Sequence, residues 1–160
     1  MSAATPPPGH GAPPPDSPAA GAPLVEVRAL RRLDDERGWF LKAIQAHHLE
    51  GHAFGEAYLS AAGPGATRGA HYHKRTTEWF CPVLGRGTLY IAAADGERRS
   101  SVRFDAAAPV SARVPAGVAH ALVADPDCEL VVLAVADVEY DPADTDTFPV
   151  DLERIRGRTT

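Results

Sequence analysis

From Leu24 onward the chain is written as short apolar runs separated by Gly, Pro and Asp: Leu24–Leu30, Trp39–Gln45, Glu56–Ala62, Ala66–His73, Glu78–Ala94, Ser100–Ala106, Val110–Pro115, His120–Asp125 and Cys128–Tyr140. Many short runs of this length, rich in β-branched residues and punctuated by turn formers, predict an antiparallel sandwich or barrel. Gly85-Arg86-Gly87, Asp95-Gly96 and Asp125-Pro126-Asp127 read as the turns between strands. Helical character is confined to about Asp141–Glu153, where Pro142 and Pro149 limit it to one or two turns. Most of Trp39, Phe40, Tyr58, Trp79, Phe80 and Tyr90 are expected in the core, with one or two lining a pocket. No internal repeat is present, and the fold class expected is all-β, in one domain.

Composition changes this picture at the N-terminus. Residues 1–23 hold eight of the fifteen prolines, among Gly, Ala and Ser, and bury too little apolar surface to offset the entropy of ordering. They read as a disordered leader, with the folded domain over 24–160. A net charge of −5, with no Lys/Arg cluster to replace phosphate counterions, argues against a nucleic-acid partner and for a small-molecule ligand. Cys81 and Cys128 lie in apolar runs and form no CxxC pair, so both are expected as reduced, buried thiols. The sequence carries neither a secretory-type basic and apolar opening nor a run near the ~20 apolar residues of a membrane helix. The expectation is a cytoplasmic protein with no membrane partner.

The chemistry concentrates in Gly65-Ala-Thr-Arg-Gly-Ala-His71-Tyr-His73-Lys-Arg-Thr-Thr-Glu78. Strand alternation turns His71 and His73 to one side, and Glu78 opens the next strand after a short turn. Pro115-Ala-Gly117 sets a further turn that leads His120 into the following strand. Three imidazoles and a carboxylate suit one divalent metal ion. Zn²⁺ is the first expectation, and Fe²⁺, Mn²⁺, Ni²⁺ and Co²⁺ are also compatible with the ligand set. His10, His47, His48 and His52 read as ordinary surface or core residues.

This spacing resembles the signature of the cupins, G-x5-HxH-x4-E-x6-G followed by PxGxxH, filled here by Gly65, His71, His73, Glu78, Gly85, Pro115, Gly117 and His120. The resemblance implies a double-stranded β-helix, or jelly-roll barrel. Pro109 and Ala124 depart from the pattern at positions that bind no metal in the family. Asp34-Asp-Glu-Arg-Gly-Trp-Phe40 is similar to the opening of sugar-nucleotide cupins, and Arg68-Gly-Ala-His-Tyr72 to a motif of the dTDP-4-dehydrorhamnose 3,5-epimerases. RGAHYHKRTTE, VPAGVAH and Tyr140-Asp-Pro-Ala-Asp-Thr-Asp-Thr-Phe148 resemble, in order, three motifs of the cupin domain of bifunctional capsular-polysaccharide UDP-sugar epimerase/reductases. No GxGxxG or reductase region accompanies them in this sequence.

What the resemblance implies is epimerisation next to the keto group of a nucleotide-linked sugar, in polysaccharide or secondary-metabolite biosynthesis. In the metal-free epimerases the histidine matching His71 is the base, but a metal-bound imidazole nitrogen cannot accept a proton. Either the metal is absent or the base lies elsewhere, with Tyr140 the candidate acid or base. Alternation turns Tyr72 and Lys74 away from the site. Arg68 is the candidate for binding a substrate anion. An Fe-dependent dioxygenase or other small-molecule cupin enzyme, and a ligand-binding cupin without turnover, remain open beside this reading. A homodimer is expected, formed through the apolar segments Leu24–Leu30 and Cys128–Val138 as sheet edges.

Overall fold

The computed structural model describes residues 18–19, 21–93 and 96–157. Its strands are β1 (Glu26–Ala29), β2 (Arg32–Asp35), β3 (Gly38–Leu41), β4 (Glu56–Ala62), β5 (Thr67–Tyr72), β6 (Glu78–Ala92), β7 (Arg99–Asp105), β8 (Val110–Val114), β9 (Ala119–Ala124), β10 (Leu130–Ala136) and β11 (Phe148–Pro149). A 3-10 turn spans Ala46–Leu49, and one short helix, α1, spans Leu152–Arg156. Every strand pairing among the described residues is antiparallel.

The two layers of the barrel share β6. Its first half lies between β8 and β10 and extends the order β1-β8-β6-β10-β4; its second half lies between β7 and β9 and extends β7-β6-β9-β5-β11. Between the layers, Phe80, Leu89, Ile91, Phe104, Val114, Val118, Leu130 and Val132 form the core. Trp79, on the opposite face of β6 from Phe80, is buried too, because the 46–52 segment covers it and the carbonyl of His48 accepts its indole N–H at 3.1 Å.

Gly85-Arg86-Gly87 is not a turn between strands. β6 runs through it without a break, and Gly85, at φ 71°, makes the bend by which the strand passes from one layer to the other. A Cβ on Gly85 would land 1.6 Å from the carbonyl oxygen of Glu129. The segment Cys128–Val138 is not an edge either: β10 is flanked by β4 and β6, which leaves β1 and β4 as the two borders of that layer. Trp39 and Phe40 are not core residues. They stand on the β2–β3 hairpin, 51% and 57% exposed, with the guanidinium of Arg32 over the Trp39 ring.

The helix also falls later than the sequence suggests. Residues 141–147 form turns, with Asp141 accepting the backbone N–H of Ala143. Beyond Pro149, Asp151 caps α1 by accepting the N–H of Glu153 at 2.9 Å, and Ile155 packs on Ala92, Ala119 and Ala121. Cys81 is buried with a free thiol, whereas Cys128 sits half-buried in a bend. Most of the leader expected over 1–23, the Asp95 position of one expected turn and residues 158–160 lie outside the described residues. Of the leader's described part, the carbonyls of Pro18, Ala19 and Ala22 accept hydrogen bonds from Arg98. Among the described residues no helix is long and apolar enough to cross a membrane.

Two glycines separate conformational cost from steric cost. Gly65, at φ 70°, has nothing within 4 Å of the place a Cβ would occupy, so Gly65→Ala is expected to cost only about 1–2 kcal/mol of left-handed strain. Gly85→Ala adds the collision with Glu129 and is expected to cost clearly more, above about 3 kcal/mol. Urea midpoints of the two variants check this, and equal losses would contradict the role given to Gly85.

Candidate metal centre

Each of the four candidate ligands arrives from a different local device. β5 pairs with β9 in register until Gly69, then skips a residue, so that His71 faces His120 directly. The extra residue is Ala70, held at φ 62°, a left-handed conformation that a non-glycine residue adopts only under constraint. His73 follows the end of β5, Glu78 begins β6 and His120 is the second residue of β9. Their ligand atoms all lie within 4.8 Å of one another. The ring centroids of His71 are 4.7 Å from His73 and 4.8 Å from His120. Tyr72 and Lys74 turn away, as alternation predicts, and both pack on Phe148.

Glu78 is 3% exposed. Its Oε2 lies 3.2 Å from Nε2 of His73 and 3.1 Å from Nε2 of His120. Both Oε2 of Glu78 and Nε2 of His73 are buried without a hydrogen-bond partner. Buried polar atoms are otherwise nearly always paired, so two orphans facing each other are what a cation between them would satisfy. The other ring nitrogens are already oriented: Nδ1 of His73 is 2.9 Å from the carbonyl of Asp146, and Nδ1 of His120 is 3.3 Å from that of Val118. Those partners leave both Nε2 atoms turned to the centre, as backbone carbonyls commonly do for imidazoles that bind a metal through the opposite nitrogen.

Electrostatics agree with the donor set at His71 and Glu78. Burial, aided by the neighbouring His120 and His73, pushes the His71 imidazole down to about 4, so its ring is neutral with a free lone pair near neutral pH. Burial alone would lift the Glu78 carboxyl, but His120 and His73 beside it hold it well below the usual range. For His73, burial opposes the charge, yet the adjacent Glu78 and the Asp146 carbonyl raise its affinity for a proton. A neutral imidazole and an ionised carboxylate are the states that bind a divalent ion. The residues therefore fit the metal that their spacing implies.

His71, His73 and Glu78 of the cluster line a cavity of about 690 Å³. Tyr140 lines its mouth, 58% exposed. Arg68 does not reach it: the residue pairs with Leu122 on β9, donates from Nε to the carbonyl of Ala61 at 2.8 Å, and lines a separate crevice beside Ser60 and Leu130. The structure adds Tyr58, whose hydroxyl donates to Oε1 of Glu78 at 2.6 Å. Tyr58 reaches Glu78 across β10 because the two intervening inward residues, Ala134 and Ala136, are small. The alternation of Glu56, Tyr58 and Ser60 against Leu59 was the available signal. The polar face of β4 looks into the cavity, and Leu59 is 68% exposed. The remaining mouth is acidic, with Glu56, Glu139, Asp141 and Asp144. Among the described residues its one cation, Arg75, is engaged by Asp144 at 2.9 Å.

Comparison with known proteins agrees with this architecture. The spore coat polysaccharide biosynthesis protein SpsL of Bacillus subtilis is 26% identical over 138 residues, 82% of this chain and 91% of its own length. ChmJ, a 3'-monoepimerase from Streptomyces bikiniensis solved with dTDP-quinovose, has a TM-score of 0.72 at 19% identity, over 85% of this chain and 73% of its own. The capsular polysaccharide assembling protein CapF from Staphylococcus aureus has a TM-score of 0.60 at 22% identity, over 77% of this chain but only 34% of its own. At such identities the structural likenesses establish the fold, a single-domain cupin-type jelly roll. The family described as the polysaccharide biosynthesis C-terminal domain matches residues 33–148, and over that span, which holds all four clustered residues, the chain belongs to it.

Proposed function

We propose that the chain is a metal-dependent epimerase or isomerase acting next to the keto group of a nucleotide-linked sugar. The observation that carries this reading is the His71, His73, Glu78 and His120 cluster, two residues buried and two half-buried, with orphaned donor atoms, open to a cavity large enough for a hexose. The named activities of its relatives, polysaccharide biosynthesis and epimerisation of dTDP-sugars, support it. His71, His73, Glu78 and His120 would hold a divalent ion, Zn²⁺ first, which would supply Lewis-acid charge to a substrate oxygen. The protein's own task is then to move a proton off the neighbouring carbon and return one to the opposite face. His71, as a ligand, is not the carrier; Tyr140 at the cavity mouth is the residue proposed for it. Asp146 keeps His73 turned inward through its carbonyl, while its carboxylate ties the loop before Glu78 by accepting the N–H groups of Lys74, Arg75 and Thr76.

The acidic mouth counts against part of this reading, because four carboxylates with one already-paired arginine repel the diphosphate of a sugar nucleotide. The same carboxylates favour a second reading, a cupin enzyme acting on an uncharged small molecule. Incubation of the zinc-loaded protein with a panel of UDP- and dTDP-linked 4-keto sugars in D₂O distinguishes the two. Deuterium is expected beside the keto carbon, lost in His73→Ala and after treatment with a chelator; no incorporation across the panel would refute the epimerase reading.

Asp146→Ala is expected to weaken metal binding about 10–100-fold in a competitive chelator titration, because it unties the loop that orients His73 and Glu78. Unchanged affinity would show that the loop holds without it. The protein is proposed to be a homodimer that uses the exposed β1 border, and light scattering giving the mass of a monomer would contradict that.

A further inference from the structure

The geometry points to Tyr58 as a positioning residue that restricts Glu78 to a single oxygen toward the metal. The two oxygens of this carboxylate have different surroundings. Oε2 faces the centre of the cluster, 3.1–3.2 Å from two imidazole nitrogens and without a hydrogen bond. Oε1 points away from it and accepts the Tyr58 hydroxyl at 2.6 Å, within the short range of a charge-assisted O–H···O⁻ bond. For Glu78 to offer both oxygens, Oε1 would have to share its lone pairs between the ion and the Tyr58 hydroxyl, which weakens this bond.

The strand register places the phenol beside the carboxylate. Tyr58 lies across β10 from Phe80, and the cross-strand set Tyr58–Ala134–Phe80 runs beside Glu56–Ala136–Glu78. The phenol therefore spans two alanines that leave it no bulky neighbour on β10 to displace it, and its hydroxyl meets Glu78 from the cavity side. Three imidazole nitrogens and one carboxylate oxygen make four protein donors. A two-oxygen Glu78 would make five and consume a position that a substrate oxygen needs. Tyr58 thus acts through Glu78 to keep the cavity face of the ion open.

This inference rests on the metal reading, and Co²⁺ as a spectroscopic probe separates the two. The full-length protein is loaded with Co²⁺ and the atoms bound to the ion are counted by X-ray absorption, together with a titration by azide followed in the visible spectrum. The wild type is expected to show one carboxylate oxygen and to bind azide. Tyr58→Phe is expected to retain Co²⁺, gain a second carboxylate oxygen and bind azide about tenfold or more weakly. A purely structural tyrosine would instead lower Co²⁺ affinity and thermal stability and leave the oxygen count alone, which would overturn the inference. A two-oxygen carboxylate in the wild type overturns it without any variant, so the test survives a Tyr58→Phe chain that does not fold. A wild type that binds no Co²⁺ refutes the metal reading itself, and this inference with it.

Discussion

An ionised carboxylate taken out of water is among the costliest groups a barrel this small can bury, and Glu78 sits at 3% exposure with one oxygen unpaired. Much of the surrounding structure serves that oxygen. Glu78 opens β6, the strand common to both layers, so its position depends on the pairing with β8 and β10 together. His71 and His120 come from β5 and β9 in the other layer, brought face to face by the bulge at Ala70. The site is complete only when the two layers close on each other correctly. That gives a physical reason for the bend at Gly85, without which β6 could not serve both.

Around this centre, two carboxylates hold the segment that leads into Glu78. Asp146 accepts the backbone N–H groups of residues 74–76, and Asp137 accepts that of Thr77 at 2.8 Å. Asp137 is itself bonded to His52 at 2.7 Å, whose ring packs edge-on against Trp79. The loop between β5 and β6 is therefore fixed from the 141–147 turns on one side and from the end of β10 on the other. A ligand set held this way keeps its shape with little reorganisation when an ion or substrate arrives, the condition for electrostatic stabilisation to lower a barrier.

The convergence of His71, His73, Glu78 and His120 was legible because its signal is local. A two-residue spacing puts two histidines on one face, a short turn brings a glutamate to the next strand, and Pro115 and Gly117 deliver His120. What escaped depends on pairing partners that are distant in sequence. β10 reads as an apolar strand wherever it sits, and only its neighbours β4 and β6 make it central. Gly85-Arg86-Gly87 has the composition of a turn, yet the flanking pairings carry the strand through it. Trp39 and Phe40 are hydrophobic enough for a core, but their hairpin pairs only with itself. By sequence Tyr58 groups with the other aromatic residues as core or pocket lining, and only the pairing of β4 with β10 singles it out as the one beside Glu78. The helix moved past Pro149 because Asp151, not the earlier acidic residues, offers the cap.

The central claim is that three imidazoles and Glu78 hold one divalent ion. Elemental analysis of the protein purified without added metal, compared with Glu78→Ala and His120→Ala variants, tests it most directly. One equivalent of a divalent metal per wild-type chain, absent from both variants whose folds are verified by circular dichroism, is the predicted result. A folded wild type that carries no metal and takes up none from a stoichiometric Zn²⁺ titration would contradict it.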